Sequence, residues 1–266
     1  MMRHKEITSI TNPRVKTWAS LLERKGRDRE QRVLIEGTHL VYEALKHHVL
    51  AETLIFDLER GIPEEVKAVL PAHLECVGVT SHISAKLSDT PSPQSTLLVI
   101  EKANLRPRTD DFLFTDSALV VAVDGVQDPG NLGTIIRAAD AAGASAVLLG
   151  KGTVDLYNPK VVRSTMGSLF HLPILEVDLP EVLAKADEMG SIQVVGTSLQ
   201  ASQSCYELPM TKPTWFVLGN EGKGISAEVA PYLNTNVIIP MPGKAESLNV
   251  AMAATVLLFE AVRQRR

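Results

Sequence analysis

Cysteine is nearly absent: two residues in 266, Cys76 and Cys205, lying far apart in the chain. That argues against a disulfide framework and against a cysteine-based zinc site, and it fits a reducing, cytoplasmic setting. Long apolar runs are missing too. No stretch reaches the ~18 apolar residues of a membrane helix. The start, MMRHKEITSITNPRVK, carries charge but neither an apolar core nor a small-residue cleavage site, so no signal peptide is expected. Internal repeats and low-complexity tracts are also lacking. What is present is ordinary globular material, 45% hydrophobic and 22% charged, which excludes disorder, collagen and coiled coil. At a prior of ~150 residues per domain, the length suits about two domains, each able to bury a core.

Net charge is −4, but it is unevenly spread. Residues 1–32 carry nine Lys/Arg against four acids, a balance of +5; the rest carries 18 against 27, a balance of −9. A basic arm on an acidic body suits a polyanion partner, and equally a solvated helix.

Residues 1–32 read as a basic helical arm, with Asn12-Pro13 as a helix start. Residues 33–100 alternate short apolar runs (33–35, 54–56, 77–79, 97–100) with helical patterns (38–48, 63–70, 81–87), a small α/β domain. Residues 101–117 look like a linker, although Phe112, Leu113 and Phe114 should dock on something. From 118 to 266 the strands become continuously apolar: 118–123, 144–149, 173–177, 192–196, 215–218 and 237–239. Such runs suit a parallel sheet covered on both faces. Helical patterns over 132–142, 160–170, 180–189, 227–233 and 248–263 complete a doubly wound α/β domain.

Ligands of open α/β sheets bind beyond the carboxyl ends of the strands. Three such ends are rich in glycine and polar residues: Asp124–Gly133, leading into a helix that holds Arg137; Leu218–Ser226; and Ile239–Val250, leading into the last helix. Gly219, Gly222 and Gly224 give G-x-x-G-x-G, which is neither the dinucleotide fingerprint nor a P-loop. There is no H-E-x-x-H and no carboxylate cluster with metal spacing. The seven histidines (4, 39, 47, 48, 73, 82 and 171) are scattered and read as structural. No metal is expected.

VDGVQDPGNLGTIIRAADAAG, FVLGNEGKGIS and IPMPGKAESLNVAMAATVLLFE resemble, in order and spacing, the three motifs of the SpoU/TrmH family of RNA ribose 2′-O-methyltransferases in the SPOUT superfamily. NPRVK, LIEGTHLVYEAL and LSDTPSPQSTLLVI resemble, more loosely, the substrate-binding domain of many members, itself like a small RNA-binding ribosomal protein. The resemblance implies a SPOUT-type sheet with a deep trefoil knot, an exception to the rule against threading. It also implies S-adenosylmethionine as cofactor and a homodimer with the active site at the subunit interface.

The resemblance implies cofactor contacts at Thr197, Leu218, Gly219, Gly222, Ile239, Met241 and Leu248. The alternative is tight turns and core. Arg137 matches the family's catalytic arginine. It either stabilises the developing alkoxide, the reading favoured by its permanent charge, or takes the proton with help from the RNA phosphate. By the same resemblance Asn131 and Ser247 are expected to be site residues, and both are also plausible N-caps. Glu221 orients Arg137 or meets the cofactor; otherwise it is a solvated loop acid. Asn249 helps arrange the site. Arg14, Lys16, Arg24, Lys25, Arg27 and Arg32 are expected on RNA phosphates, which position rather than specify. The expected substrate is ribosomal RNA of the large subunit ahead of tRNA. Competing readings are a catalytically silent RNA-binding or ribosome-assembly factor, a NAD- or ATP-using α/β enzyme, and a base methyltransferase. The silent factor should have lost Arg137, Glu221, Ser247 or Asn249, and all four are present.

Overall fold

The apolar runs after residue 118 become strands of one wholly parallel sheet in the computed structural model, which describes residues 4–107 and 109–266. Met1, Met2, Arg3 and Arg108 lie outside the described residues, and with them the first of the nine expected arm cations. The strands are β6 (Leu119–Asp124), β7 (Ala146–Leu149), β8 (Ile174–Glu176), β9 (Gln193–Thr197), β10 (Gln203–Ser204), β11 (Thr214–Gly219) and β12 (Thr235–Ile238). Their order is β10-β12-β9-β11-β6-β7-β8. All six residues of β6 and of β11 are buried, which is why these runs show no alternation. Helices α6 (Pro129–Ala141), α8 (Leu179–Glu188) and α9 (Val250–Arg265) complete this unit, which comprises residues 107–154 and 172–266. Leu113, Phe112 and Phe114 do dock, on the core built around Val120, Trp215 and Val217.

The other compact unit comprises residues 1–106 and 155–171. Its mixed sheet has the order β1-β4-β3-β5-β2, from β1 (Lys5–Ile7), β2 (Arg32–Glu36), β3 (Ala51–Asp57), β4 (Glu75–Val79) and β5 (Thr96–Glu101). Helices α1 (Pro13–Ser20), α2 (Arg24–Glu30), α3 (Thr38–Lys46), α4 (Glu64–Val69), α5 (Ser81–Lys86) and α7 (Pro159–Ser164) belong with it. Residues 155–171, expected inside one continuous domain from 118, pack with this unit instead.

Three further expectations need correction. The basic arm is not a separate arm. β1 pairs with β4, and Val15 and Trp18 of α1 enter the core of the first unit, because apolar side chains at helical spacing demand burial. The expected helix over 160–170 breaks after Ser164: Met166 and Gly167 adopt left-handed backbone, and only a 3-10 turn, Ser168–Phe170, follows. The expected helix over 227–233 is a single 3-10 turn, Ala230–Tyr232. Pro231 lacks a donor, and so short a segment cannot repay helix nucleation.

Candidate active site

Parallel pairing sets the carboxyl ends of β6, β11, β9 and β12 side by side, with Gly219 in register with Asp124. The loops that leave them therefore meet on one edge of the sheet. The loop after β11 closes tightly: Asn220 and Gly224 exchange backbone hydrogen bonds of 2.9 Å, and the Asn220 side chain accepts from Gly222 and Lys223 N–H groups and donates to the Gly125 carbonyl. Gly219 is obligatory here, since a Cβ would lie 2.2 Å from the Gly224 carbonyl carbon. The Asp124 carboxylate accepts from Ser226 N–H at 2.6 Å, fastening the far side of this loop to β6.

One chain of side chains then ties all three loops together. The Asn249 amide donates to Asn131 Oδ1 at 2.9 Å, and the Asn131 amide donates to Glu221 Oε1 at 3.0 Å. Glu221 also accepts from the backbone N–H groups of Gln127 and Asp128, at 3.2 and 3.1 Å. Partial burial alone would raise the Glu221 carboxyl, but the Asn131 and backbone donors outweigh it and hold the pKa below the ordinary value. The positive end of α6 acts in the same direction. Glu221 is thus a fixed carboxylate rather than a free loop acid.

The caps differ from the expected ones. Asp128, not Asn131, caps α6, accepting from Asn131 N–H at 2.8 Å; this frees the Asn131 side chain for Glu221 and Asn249. Asn249, not Ser247, caps α9, accepting from Ala251 and Met252. Asn249 therefore uses its oxygen on the helix and its NH₂ on Asn131, a division that only an amide of this length provides.

Beside this network opens a cleft of about 380 Å³. Of the residues singled out in the sequence, Thr197, Gly219, Glu221, Ile239, Met241, Ser247, Leu248 and Asn249 line it. Leu218 does not: it is 1% exposed, turned into the sheet interior. Gly222 sits in the exposed turn, outside the lining. Sequence reading had passed over Asn220, although its place between glycines was a usable signal. Val250 and Ala253, in the first turn of α9, also reach the cleft. Arg137 is exposed on α6, does not line the cleft, and has no hydrogen bond or ion pair among the described residues.

The expected RNA contacts of the first unit divide. Arg27 is 2% exposed; it donates to the Leu21 and Leu22 carbonyls at 2.8 Å and pairs with Asp155 at 2.6 Å, so it cannot reach a phosphate. Arg14 stacks on Trp18 and pairs with Glu75, and Arg32 pairs with Glu52 at 2.7 Å. These cations answer the fold's own acceptors. Lys16, Arg24 and Lys25 remain exposed.

Comparison with known proteins identifies the family. The SpoU rRNA Methylase family matches over residues 118–259, and the MRM3-like substrate binding domain over residues 12–98. The chain is 37% identical, over 96% of its length and 98% of the relative's, to the 23S rRNA (guanosine(2553)-2'-O)-methyltransferase RlmP of Bacillus subtilis. It is 34% identical, over 98% of its length and 93% of the relative's, to the 23S rRNA (uridine(2479)-2'-O)-methyltransferase of Streptomyces viridochromogenes. The crystal structure of the SpoU methyltransferase AviRb from that organism, in complex with AdoMet, superposes with a TM-score of 0.85 at 33% identity, covering 96% of this chain and 98% of that one.

Proposed function

The chain belongs to the SpoU rRNA methylase family, and from that premise we propose that it methylates a ribose 2′-hydroxyl of large-subunit ribosomal RNA with S-adenosylmethionine. The observation that carries the reading is the Asn249–Asn131–Glu221 chain. It joins three loops, distant in sequence, around one cleft at the carboxyl ends of parallel strands. The cleft suits the cofactor: its volume falls within the range of small-molecule sites, with apolar walls from Ile239, Met241 and Leu248 and loop backbone at Gly219 and Gly224. Bound there, S-adenosylmethionine supplies a methyl group on a positively charged sulfur.

The chain's own residues do the rest. Glu221, fixed as an anion, holds the start of α6 against the loop after β11 and presents a negative wall to the cleft. Asn249 and Asn131 keep the third loop in register with the first. Arg137 lies six residues past Asn131, about 9 Å farther along α6. It serves a site other than its own cleft, and a second copy of the chain brings the two together. Met252 and Phe259, 51% and 47% exposed and two turns apart on α9, offer an apolar stripe for that contact. At the reacting ribose, the Arg137 guanidinium binds phosphate and the 2′-oxygen as negative charge develops there. The exposed Lys16, Arg24 and Lys25 supply phosphate contacts from the first unit. A trefoil knot through the segment between β12 and α9 belongs to the same proposal, as does a cytoplasmic setting. Among the described residues no helix is long and apolar enough to cross a membrane.

Which nucleoside is methylated is not set by the family fold, because the two relatives above methylate a guanosine and a uridine respectively. The test is tritium transfer from labelled S-adenosylmethionine to protein-free total RNA from a strain lacking this gene. Label in large rRNA that survives alkali as a dinucleotide is the expected result. Label confined to tRNA overturns the substrate. Absence of both label and cofactor binding favours the silent RNA-binding reading.

A further inference from the structure

Three metal-ligating side chains meet in the first unit, outside the cleft: Glu43, His47 and His171. Glu43 and His47 stand one turn apart at the end of α3 and its cap, so they share a face. His171 closes the 155–171 segment. Its Nε2 lies 3.0 Å from Glu43 Oε2, and His47 Nε2 lies 3.5 Å from the same oxygen. The three ligand atoms fall within 4.8 Å of one another. Around a tetrahedral ion, ligands bound at ~2.0–2.1 Å stand about 3.4 Å apart. The arrangement is therefore within a small adjustment of a coordination shell.

The backbone also builds a cradle for the carboxylate. Met166 and Gly167, at φ 51° and 100°, are successive left-handed residues that lay the turn directly on Glu43. A Cβ on Gly167 would come within 3.0 Å of Glu43 Cγ. His39 Nε2, 3.2 Å from the Met166 carbonyl, holds the same turn. Glu43 is 8% exposed, and a buried carboxylate requires a cation. Lys46 approaches its other oxygen, Oε1, at 3.8 Å, leaving Oε2 to the two imidazoles.

We propose that Glu43, His47 and His171 bind one divalent transition-metal ion of the zinc class, clipping the 155–171 segment to α3. Two imidazoles and one carboxylate suit zinc, nickel or copper and not the hard cations magnesium or calcium. Both histidines are exposed, so water completes the shell. The ligands bind as neutral imidazoles, so protons compete with the metal. The titratable groups seen around the site include Glu43, Lys46, His47 and His171.

The test titrates zinc chloride into tag-free, metal-stripped full-length protein above neutral pH, with magnesium chloride as the control. Calorimetry should give one zinc ion per chain and no magnesium binding. His47→Ala and His171→Ala should each remove the saturable binding, while His82→Ala on α5 leaves it intact. Cobalt(II) at the site should show the intense visible bands of a low-coordinate ion, lost in the same two variants. Circular dichroism verifies the fold, and His47→Gln serves if the alanine variant is impaired. No saturable zinc binding, or binding that survives both substitutions, overturns the proposal.

Discussion

Two arginines show how differently the two units spend charge. Arg27, in the first, is buried and committed to two carbonyls and to Asp155. Arg137, in the second, is exposed and has no partner among the described residues. A buried guanidinium must recover its lost hydration inside the fold, so its acceptors are fixed when the chain folds. An exposed one keeps its hydration and can exchange it for a ligand. The same contrast separates the carboxylates. Glu75 answers Arg14, Lys5 and Thr53, whereas Glu221 answers backbone and amide donors that frame a cleft.

The sharpest way to break this comparison is Arg27→Met. Removing one partner of a buried pair leaves Asp155 uncompensated, with an expected loss of ~3–5 kcal/mol in urea unfolding. Adding Asp155→Leu should recover part of that loss; wild-type stability in the single variant would dissolve the contrast. Arg137→Ala should leave stability and S-adenosylmethionine affinity unchanged while kcat for RNA falls by about 10²–10³. Mixing it with a Glu221→Gln chain should restore activity if the two residues serve one site from separate copies, and no restoration argues for sites built within one chain.

A smaller effect is expected from Asn249→Asp. The cap oxygen persists and the donor to Asn131 is lost, so cofactor affinity should fall by about 0.5–1.5 kcal/mol with little change in unfolding. Calorimetry with S-adenosylmethionine measures it, and equal affinity would remove the amide chain from the site. Least is expected from Glu75. The Arg14 guanidinium beside it, helped by Lys5, holds its carboxyl down from 4.5 to about 2. A depressed acid stabilises the fold above its unfolded pKa and loses that contribution as pH falls. The stability gap between wild type and Glu75→Gln should therefore shrink as pH falls from 4.5 towards 2, and a constant gap would refute the pairing.

Legibility followed the physics of each region. The parallel strands were readable because burial on both faces leaves continuous apolar runs, as in β6 and β11. The strand-end loops were readable because glycines and amides have no other reason to crowd there. β1 and β10 were missed, since three and two residues carry no period. The roles of Asn131 and Ser247 as caps were misjudged because several cap-forming residues stood within reach of each helix start. Only the fold chose Asp128 and Asn249.

The sequence by itself determined the α/β class and the three glycine-rich loops, because hydrophobic period and glycine spacing are local properties; the family entered through the resemblance of its three motifs. The tertiary structure alone decided which cations are spent internally, which amide joins which loop, and that residues 155–171 pack with the first unit. It also decided that His171 meets Glu43 across 128 positions. Partners at such separations are selected by the cost of burying charge, and that cost exists only once the chain has folded.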